Sequence, residues 1–412
     1  MDLVKKYGVV FALWGASTVL FADSFDAETG LEGRYFFDEG AAGQAKENVS
    51  FRFQPEYHHQ SEEGKDSLEL IVFARWDQHD DQRSHVDIRE FAWTHADPAY
   101  ELRFGISKVF WGVTESAHLV DIINQTDLVE NPDGEEKLGQ PMFRFSVERD
   151  WGTLDLYGLF FHRAKTYAGK EGRLGLPLEV DQDDILYASS KEDKRVDFAM
   201  RYYNYFGNLD MSVSYFGGTS RDPILIYNQN PLAPKFKQLY TTIDQFGLTL
   251  QYIWDQLLLK FEGIHRSGQG EAYYAAVGGF EYTQVGLFDT DMDVGWVAEY
   301  LYDDRQEKAT TPFERDVFLG LRVTLNDEYS TEALVGGIYD PESEETMLSV
   351  ESSRRLGQNW KATFEARAFM GAKSPGTTLP QILGALAQPD PDNKTWFLSG
   401  EDFVQLEFTR YF

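Results

Sequence analysis

Ser116, His118 and Asp121 stand within six positions of one another and supply, by type, the nucleophile, base and orienting carboxylate of a hydrolytic relay. Such a relay is defined by geometry, not by closeness along the chain, and three residues of these kinds fall together readily by chance. No catalysis is expected from them, and the chain is read as a non-enzyme. Their surroundings are more telling. The segment 109–141 interleaves Leu119, Val120, Ile122, Ile123 and Leu128 with Glu115, His118, Asp121, Asn124 and Asp127. A solvated connection has no use for so many apolar side chains, and long ordered loops are usually functional. Folding inward would bury the apolar set and place Glu115, His118, Asp121, Asn124 and Asp127 at a constriction. Packing as a cap on neighbouring loops is the alternative.

A second set of charges recurs at alternate positions through the chain. Arg75, Arg103, Arg144, Arg322 and Arg367, with Glu101, Glu299 and Glu365, stand out as residues to line a polar interior, and Lys361, Glu262 and Glu351 share their pattern. Opposed patches of this kind set a field across a water-filled passage. They serve equally as a wall of ion pairs without selectivity, each pair individually weak. Metal chemistry has little support. His58 and His59 are adjacent, so on a strand they point to opposite faces, and the acidic runs at 181–184, 303–304 and 390–393 lack calcium-loop spacing. Gly268-Gln269-Gly270 reads as a hairpin turn, with no helix after it to hold a phosphate. No cofactor and no metal is expected.

The elements that must position these residues follow a period of two. Met292, Val294, Trp296, Ala298, Tyr300 and Tyr302 share one face, against Asp293, Gly295 and Glu299. Val317, Leu319, Leu321, Val323 and Leu325 repeat the pattern, as do Trp360, Ala362, Phe364, Ala366 and Ala368. Side chains on a strand alternate between faces, so one face is oily and the other charged. Eighteen such segments are predicted: 31–38, 48–57, 67–77, 85–95, 99–108, 142–149, 153–162, 195–205, 209–217, 243–254, 256–266, 273–284, 291–302, 315–325, 330–339, 346–355, 359–369 and 401–412. The alternation slips at Arg89-Glu90. Tight connections such as 96–98, 150–152 and 207–208 alternate with long ones at 109–141, 163–194, 218–242, 303–314 and 370–400; the turn at 59–66 is long for its rim. Trp93, Trp151, Trp254, Trp296 and Trp360 fall near segment ends, as an interfacial girdle requires. No blade repeat and no linker points to a propeller or a pair of sandwiches. The expected fold is all-β: a transmembrane antiparallel β-barrel of about 18 strands, with short periplasmic turns and long extracellular loops, closed because hydrocarbon leaves no backbone group unpaired.

The ends agree with that. Lys5 and Lys6 precede an apolar stretch from Val9 to Leu20, too short to span a bilayer, and Ala22 offers a cleavage point. Residues 1–22 are therefore predicted to be a signal peptide and 23–412 the barrel. No run of eighteen apolar residues follows. The chain has no cysteine, which excludes disulfides and thiol chemistry. Its formal charge is −30, and nucleic acid is a poor partner for such a surface. Val404, Leu406, Phe408 and Phe412 end the chain on one face, which resembles the terminal assembly signal of outer-membrane barrels.

In the 109–141 segment the order Trp111-Gly112, Glu115-Ser116 and Asp121-x-Ile123-Asn124-x-x-Asp127 resembles a stretch of poorly characterised porin-like outer-membrane proteins of proteobacteria. Gly278-Gly279-Phe280-Glu281-Tyr282 and Ala298 to Arg305 are similar to the same group. The resemblance implies a barrel in the outer membrane of a Gram-negative bacterium and no particular solute. The expected partners are outer-membrane lipid and lipopolysaccharide, the barrel assembly machinery, small solutes and a possible second copy of the chain. The expected function is passive diffusion of small polar solutes. Two alternatives stay open: a barrel handling hydrophobic or lipid cargo in an export system, suggested by inward Phe73, Leu159 and Phe318, and a plugged structural barrel.

Overall fold

The structure, a computed structural model, describes residues 22–228, 230 and 234–412. The predicted leader, apart from Ala22, lies outside the described residues. Eighteen antiparallel strands form one sheet that closes on itself, the first strand (Ala22–Phe36) pairing with both the second (Glu47–Gln60) and the last (Phe403–Tyr411). Closure is registered by Leu31 opposite Phe408 and Tyr35 opposite Val404. No helix of the described residues is long and apolar enough to cross a membrane. The crossing is made by strands, whose hydrogen bonds all lie within the ring.

Each of the eighteen expected segments is a strand of this barrel. The largest departure is the first, which begins at Ala22, not at residue 31. Asp23, Ser24, Asp26 and Glu28 hide the alternation of Phe25, Ala27, Thr29 and Leu31, yet the ladder to the second strand runs unbroken from Ala22–Gln60 onward. The slip at Arg89-Glu90 is a β-bulge: Ile88 faces Val72 and Glu90 faces Ile71, so Arg89 is the extra residue. Both side chains then turn inward and are buried. Next to it, Gly105 holds φ +137°, and a Cβ there would stand 2.1 Å from the Phe91 carbonyl, so only glycine fits.

Connections alternate strictly between two rims. One rim carries 61–65, 98–99, 150–151, 207–208, 255–256, 285–292, 325–331 and 356–359 and both strand termini; the other carries the long 108–139, 160–196, 220–241, 304–316 and 371–402. The turn expected at 59–66 shortens to 61–65, because strand pairing continues to Gln60 and Ser67. Phe51, Trp93, Phe104, Phe246, Trp296 and Leu319 are exposed on the outside of the cylinder. All five predicted girdle tryptophans are outward at the short-turn end, and Trp76, Tyr274, Tyr300 and Tyr339 mark the opposite end. Such paired belts are what lipid headgroups on two sides demand.

Three short strands (Val180–Tyr187, Ile224–Tyr227, Phe236–Tyr240) and a helix (Leu379–Ala387) lie in segments expected to be plain loop. The strands form a separate sheet, and Ile382, Leu383 and Leu386 of the helix pack with Tyr167, Leu178, Val180 and Phe236. The helix starts at Thr378, whose N–H donates to Gln381 Oε1 at 3.2 Å. Together they form a small cap over the long-loop rim.

Candidate functional site: the lumen and its inner loop

The segment 108–139 lies within the barrel, held by two different kinds of contact. Its apolar side is sealed to the wall: Trp111, Val120, Ile122 and Ile123 are buried against Met142, Tyr157, Leu159, Phe216, Ile243 and Ile264. Burying a side chain of this size contributes about 2 kcal/mol. Its polar side is held by carboxylates rising from the wall. Glu262 Oε1 accepts from the Val113 and Thr114 N–H groups at 2.5 and 3.0 Å, and Glu299 from those of Glu115 and Ser116 at 2.8 Å each. Thr114 and Ser116 add their hydroxyls, at 2.9 and 2.6 Å, and Val120 N–H reaches Glu262 Oε2 at 3.2 Å. Four consecutive backbone donors that no strand partner could take are thus satisfied by two buried carboxylates.

The far arm of the loop is fastened across the lumen. Arg75 pairs with Glu130 at 2.7 Å and Glu32 at 3.1 Å, and the bulge residue Arg89 reaches Asp127 at 2.6 Å. Arg83, between Glu32 and Asp77, donates to the Val129 carbonyl at 2.9 Å. Arg322 pairs with Glu115 at 2.5 Å, and Arg367 with Asp133 at 2.8 Å. The loop therefore touches charged side chains on strands from widely separated parts of the ring.

The residues proposed for the constriction divide into two groups. Glu115 and His118 face open space, a cavity of about 540 Å³ between the loop and the wall. Asp121, Asn124 and Asp127 do not line it; they hold the loop together. Asp121 Oδ1 accepts from Trp111 and Gly112 N–H at 2.6 and 3.1 Å. Asn124 joins the two loop arms, accepting from Val109 N–H and donating to the Ser107 and Leu138 carbonyls. Asp127 is fully buried between Arg89 and Thr166. Asp121 and Asn124 share a cause: an irregular backbone inside a barrel leaves N–H and C=O groups that short carboxylate and amide side chains must satisfy, whereas Asp127 bonds to the side chains of Arg89 and Thr166. Nor do Ser116, His118 and Asp121 form a relay among the described residues. Ser116 Oγ donates to Glu299, and His118 Nε2 lies 2.9 Å from Glu135.

His118 is the one strongly perturbed group at the cavity edge. Burial alone would lower its pKa, but Glu135, and the Glu262 carboxylate 3.9 Å from Nδ1, raise it from 6.5 to about 10. Nδ1 has no hydrogen-bond partner, so Glu262 acts there as a nearby charge. The imidazolium is therefore a fixed cation across neutral pH, stacked edge-on against Phe110 at 4.7 Å.

All eight proposed lumen residues face the interior. Arg322 and Arg367 line the cavity; Arg75, Glu299 and Glu365 are buried beneath the loop, Glu365 binding Arg367 at 2.6 Å. Arg103 pairs with Glu69 and Glu90 at 2.9 Å each, and Arg144 pairs with Glu101. The loop-tip acids Asp133 and Glu135, and Glu332 and Lys361 on the wall, also line the cavity. The turn signature Asn131-Pro132-Asp133-Gly134 marks that tip in the sequence. The wall opposite carries Phe318, Leu334, Ile338, Met347 and Phe369. Of the three inward apolar residues that suggested lipid cargo, two are covered, Phe73 under Arg75 and Arg89 and Leu159 under the loop, while Phe318 packs against Ala117 and Leu119 and also borders the cavity. Two groupings have the spacing to hold a metal ion, His85 with Asp127 and Glu130, and Asp133 with Glu351 and Glu365. Arginines already engage both, Arg75 and Arg89 in the first and Arg367 in the second.

Below the cavity, toward the short-turn rim, a second space of about 290 Å³ is lined by Ser330, Arg355, Gln358 and Tyr411 and shares Glu332, Ser353 and Lys361 with the first.

The closed eighteen-stranded antiparallel barrel, oily outside and charged within, is a fold the chain shares with solved outer-membrane porins. Among solved structures it is similar to OpdO of Pseudomonas aeruginosa (TM-score 0.53, 10% identity, 95% of this chain and 96% of that one). It is similar also to OpdQ of Pseudomonas aeruginosa (TM-score 0.50, 13% identity, covering 95% and 97%). At these identities the likeness is one of fold. No protein-family model matches the sequence, and no curated protein does.

Proposed function

We propose that the chain is an outer-membrane channel for passive diffusion of small polar solutes, narrowed by the inward loop 108–139. The observation that carries this reading is a pair of adjoining spaces inside the barrel: the 540 Å³ cavity beside the loop shares Glu332, Ser353 and Lys361 with the 290 Å³ space that adjoins the short-turn rim. Water wets such a lining, and the apolar outer belt seats the cylinder in lipid. The narrowest part of the path is formed by Glu115, His118, Asp133 and Glu135 on the loop and by Arg322 and Arg367 on the wall. The predicted leader at 1–22 would deliver the chain through the inner membrane. Lipopolysaccharide at the acidic long-loop rim and the assembly machinery at the C-terminal strand belong to the same reading.

Purified protein in planar lipid bilayers tests it. Discrete conductance steps are expected, and a larger step when the loop is cut out between Val113 and Glu135. A folded barrel that inserts and carries no current would reject the channel, and an unchanged step after the deletion would reject the constriction.

A further inference from the structure

Of the two groupings with metal-holding spacing, the one at His85 has a feature that its arginines do not explain. His85 opens the strand His85–Asp97, directly opposite Arg75 on the neighbouring strand. The inner loop brings Asp127 and Glu130 to the same spot, in a turn closed by the Glu130 N–H donating to the Asp127 carbonyl at 3.2 Å. His85 Nε2 lies 3.7 Å from Asp127 Oδ2 and 3.7 Å from Glu130 Oε1, and all three atoms fall within 4.8 Å of one another.

The other ring nitrogen fixes what Nε2 can be. Nδ1 lies 3.0 Å from the Arg83 carbonyl, which can only accept, so Nδ1 carries the hydrogen. Nε2 is then a buried nitrogen without a hydrogen-bond partner, turned toward two buried carboxylates. A lone pair there repels both anions, and an imidazolium would close to about 2.8 Å on one of them. A metal ion between the three groups satisfies them all. Bonds of about 2.1 Å at tetrahedral angles set neighbouring ligand atoms about 3.4 Å apart, close to the 3.7 Å found here. A ring N–H held by a backbone carbonyl is also the arrangement that orients metal-binding imidazoles.

The arginines decide which ion fits. Arg75 holds Glu130, while Arg89 and the Thr166 hydroxyl hold Asp127. A carboxylate oxygen has two lone pairs, so Asp127 Oδ2 and Glu130 Oε1 keep one each for an ion. The guanidiniums cancel the carboxylate charge, so an ion drawn by charge alone, such as Ca²⁺ or Mg²⁺, gains little. An ion that also bonds imidazole nitrogen gains from His85. The His85 side chain is 21% exposed, which gives such an ion a way in.

We propose that His85, Asp127 and Glu130 form a site for one divalent transition-metal ion of the zinc class, which ties the inner loop to the barrel wall. Water fills the remaining position of the ion. The site holds the loop and takes no part in selecting a solute.

The test is calorimetric titration of Zn²⁺ into the full chain, folded in detergent and prepared without a polyhistidine tag. A Zn²⁺ site is expected that Ca²⁺ does not fill, that His85→Gln removes, and that His265→Gln, on the outer face beside Tyr274, keeps. Zn²⁺ should also raise the temperature at which wild type unfolds on gels, and leave that of His85→Gln where it was. Histidine acylation by diethyl pyrocarbonate, mapped by mass spectrometry on wild type, gives a reading that needs no variant: Zn²⁺ should protect His85. Equal Zn²⁺ binding by His85→Gln, equal heat from Ca²⁺, or His85 acylation unchanged by Zn²⁺ would overturn the proposal. Absence of any Zn²⁺ binding would overturn it too, and would make His85 an imidazolium paired with the two acids. None of these readings requires current through the barrel, so their failure leaves the channel reading intact.

Discussion

Replacing Glu299 with alanine isolates one of the contacts that keep the loop in the lumen. The substitution removes the acceptor of three hydrogen bonds, from Glu115 N–H at 2.8 Å, Ser116 N–H at 2.8 Å and Ser116 Oγ at 2.6 Å. Bonds to a charged acceptor contribute about 1.5–3 kcal/mol each, but water entering the lumen recovers part of that. A net loss of about 3 kcal/mol is therefore reasonable, which lowers the ratio of docked to undocked loop roughly 150-fold. Glu262 still holds Val113, Thr114 and Val120, so only the stretch about Glu115 and Ser116 is freed. Planar-bilayer recordings should then show a noisier open level with excursions to higher conductance. Glu299→Gln keeps one acceptor oxygen and should fall between. Removing Glu262 as well strips all seven bonds that the two carboxylates accept from the loop, and should make the excursions to the larger state longer and more frequent, with the apolar seal and the arginine pairs still in place. Heat-modifiable mobility on gels confirms that each variant is a folded barrel. Wild-type conductance and noise in both the single and the double variant would refute the idea that wall carboxylates hold the loop.

Three further outcomes follow from the same geometry. His118, raised from 6.5 to about 10, stabilises the loop fully below pH 6.5 and loses that contribution only as pH rises through about 10; conductance noise should stay flat through neutral pH and increase near pH 10, whereas a step near 6.5 would contradict the pairing with Glu135. Because the chain has no cysteine, single cysteines report access without background: Glu115→Cys and Asp133→Cys should react rapidly with a charged thiosulfonate added to the open channel, and Ile122→Cys should react only after denaturation. On the outer face, Leu248→Arg places a charge at the middle of the strand Thr242–Trp254 and should cost about 2–4 kcal/mol in urea unfolding from lipid vesicles; an unchanged midpoint would mean that this face does not meet hydrocarbon.

What the sequence reveals and what it hides have separate physical causes. Every strand that faces lipid on one side and water on the other must alternate, so Val317 to Thr324 or Trp360 to Met370 can be read directly. Even the irregularity at Arg89 is visible, because a bulge puts two polar residues in succession on the same side. The opening nine residues of the first strand are hidden because they lie toward the rim, where Asp23 and Asp26 are as welcome as apolar residues. The cap is hidden for another reason. Ile224–Tyr227 and Leu379–Ala387 are stabilised by each other's neighbourhood across more than a hundred residues of chain, and nothing local announces it. Within the inner loop, composition shows that Val120, Ile122 and Ile123 need cover. It does not show that Asp121 and Asn124 serve the backbone and Asp127 holds Arg89 and Thr166 while Glu115 and His118 face water, since an irregular segment has no period from which to assign sides.

The same separation governs charge. A formal −30 suggests a channel that repels anions, yet much of that charge lies in rim loops or is paired within the wall. At physiological salt the Debye length is about 8 Å, so a solute inside the lumen senses only the groups that line its path. Along that path the loop tip presents Glu115, Asp133 and Glu135, offset by His118, Arg322 and Arg367, and the inner mouth presents Arg355 and Lys361. If the barrel conducts, the groups that line its path should set its preference more than the total charge does. Reversal potentials in a salt gradient can tell these apart: neutralising the acids at 181–184 in the cap should leave the potential where it was, while Lys361→Gln should move it toward cation preference.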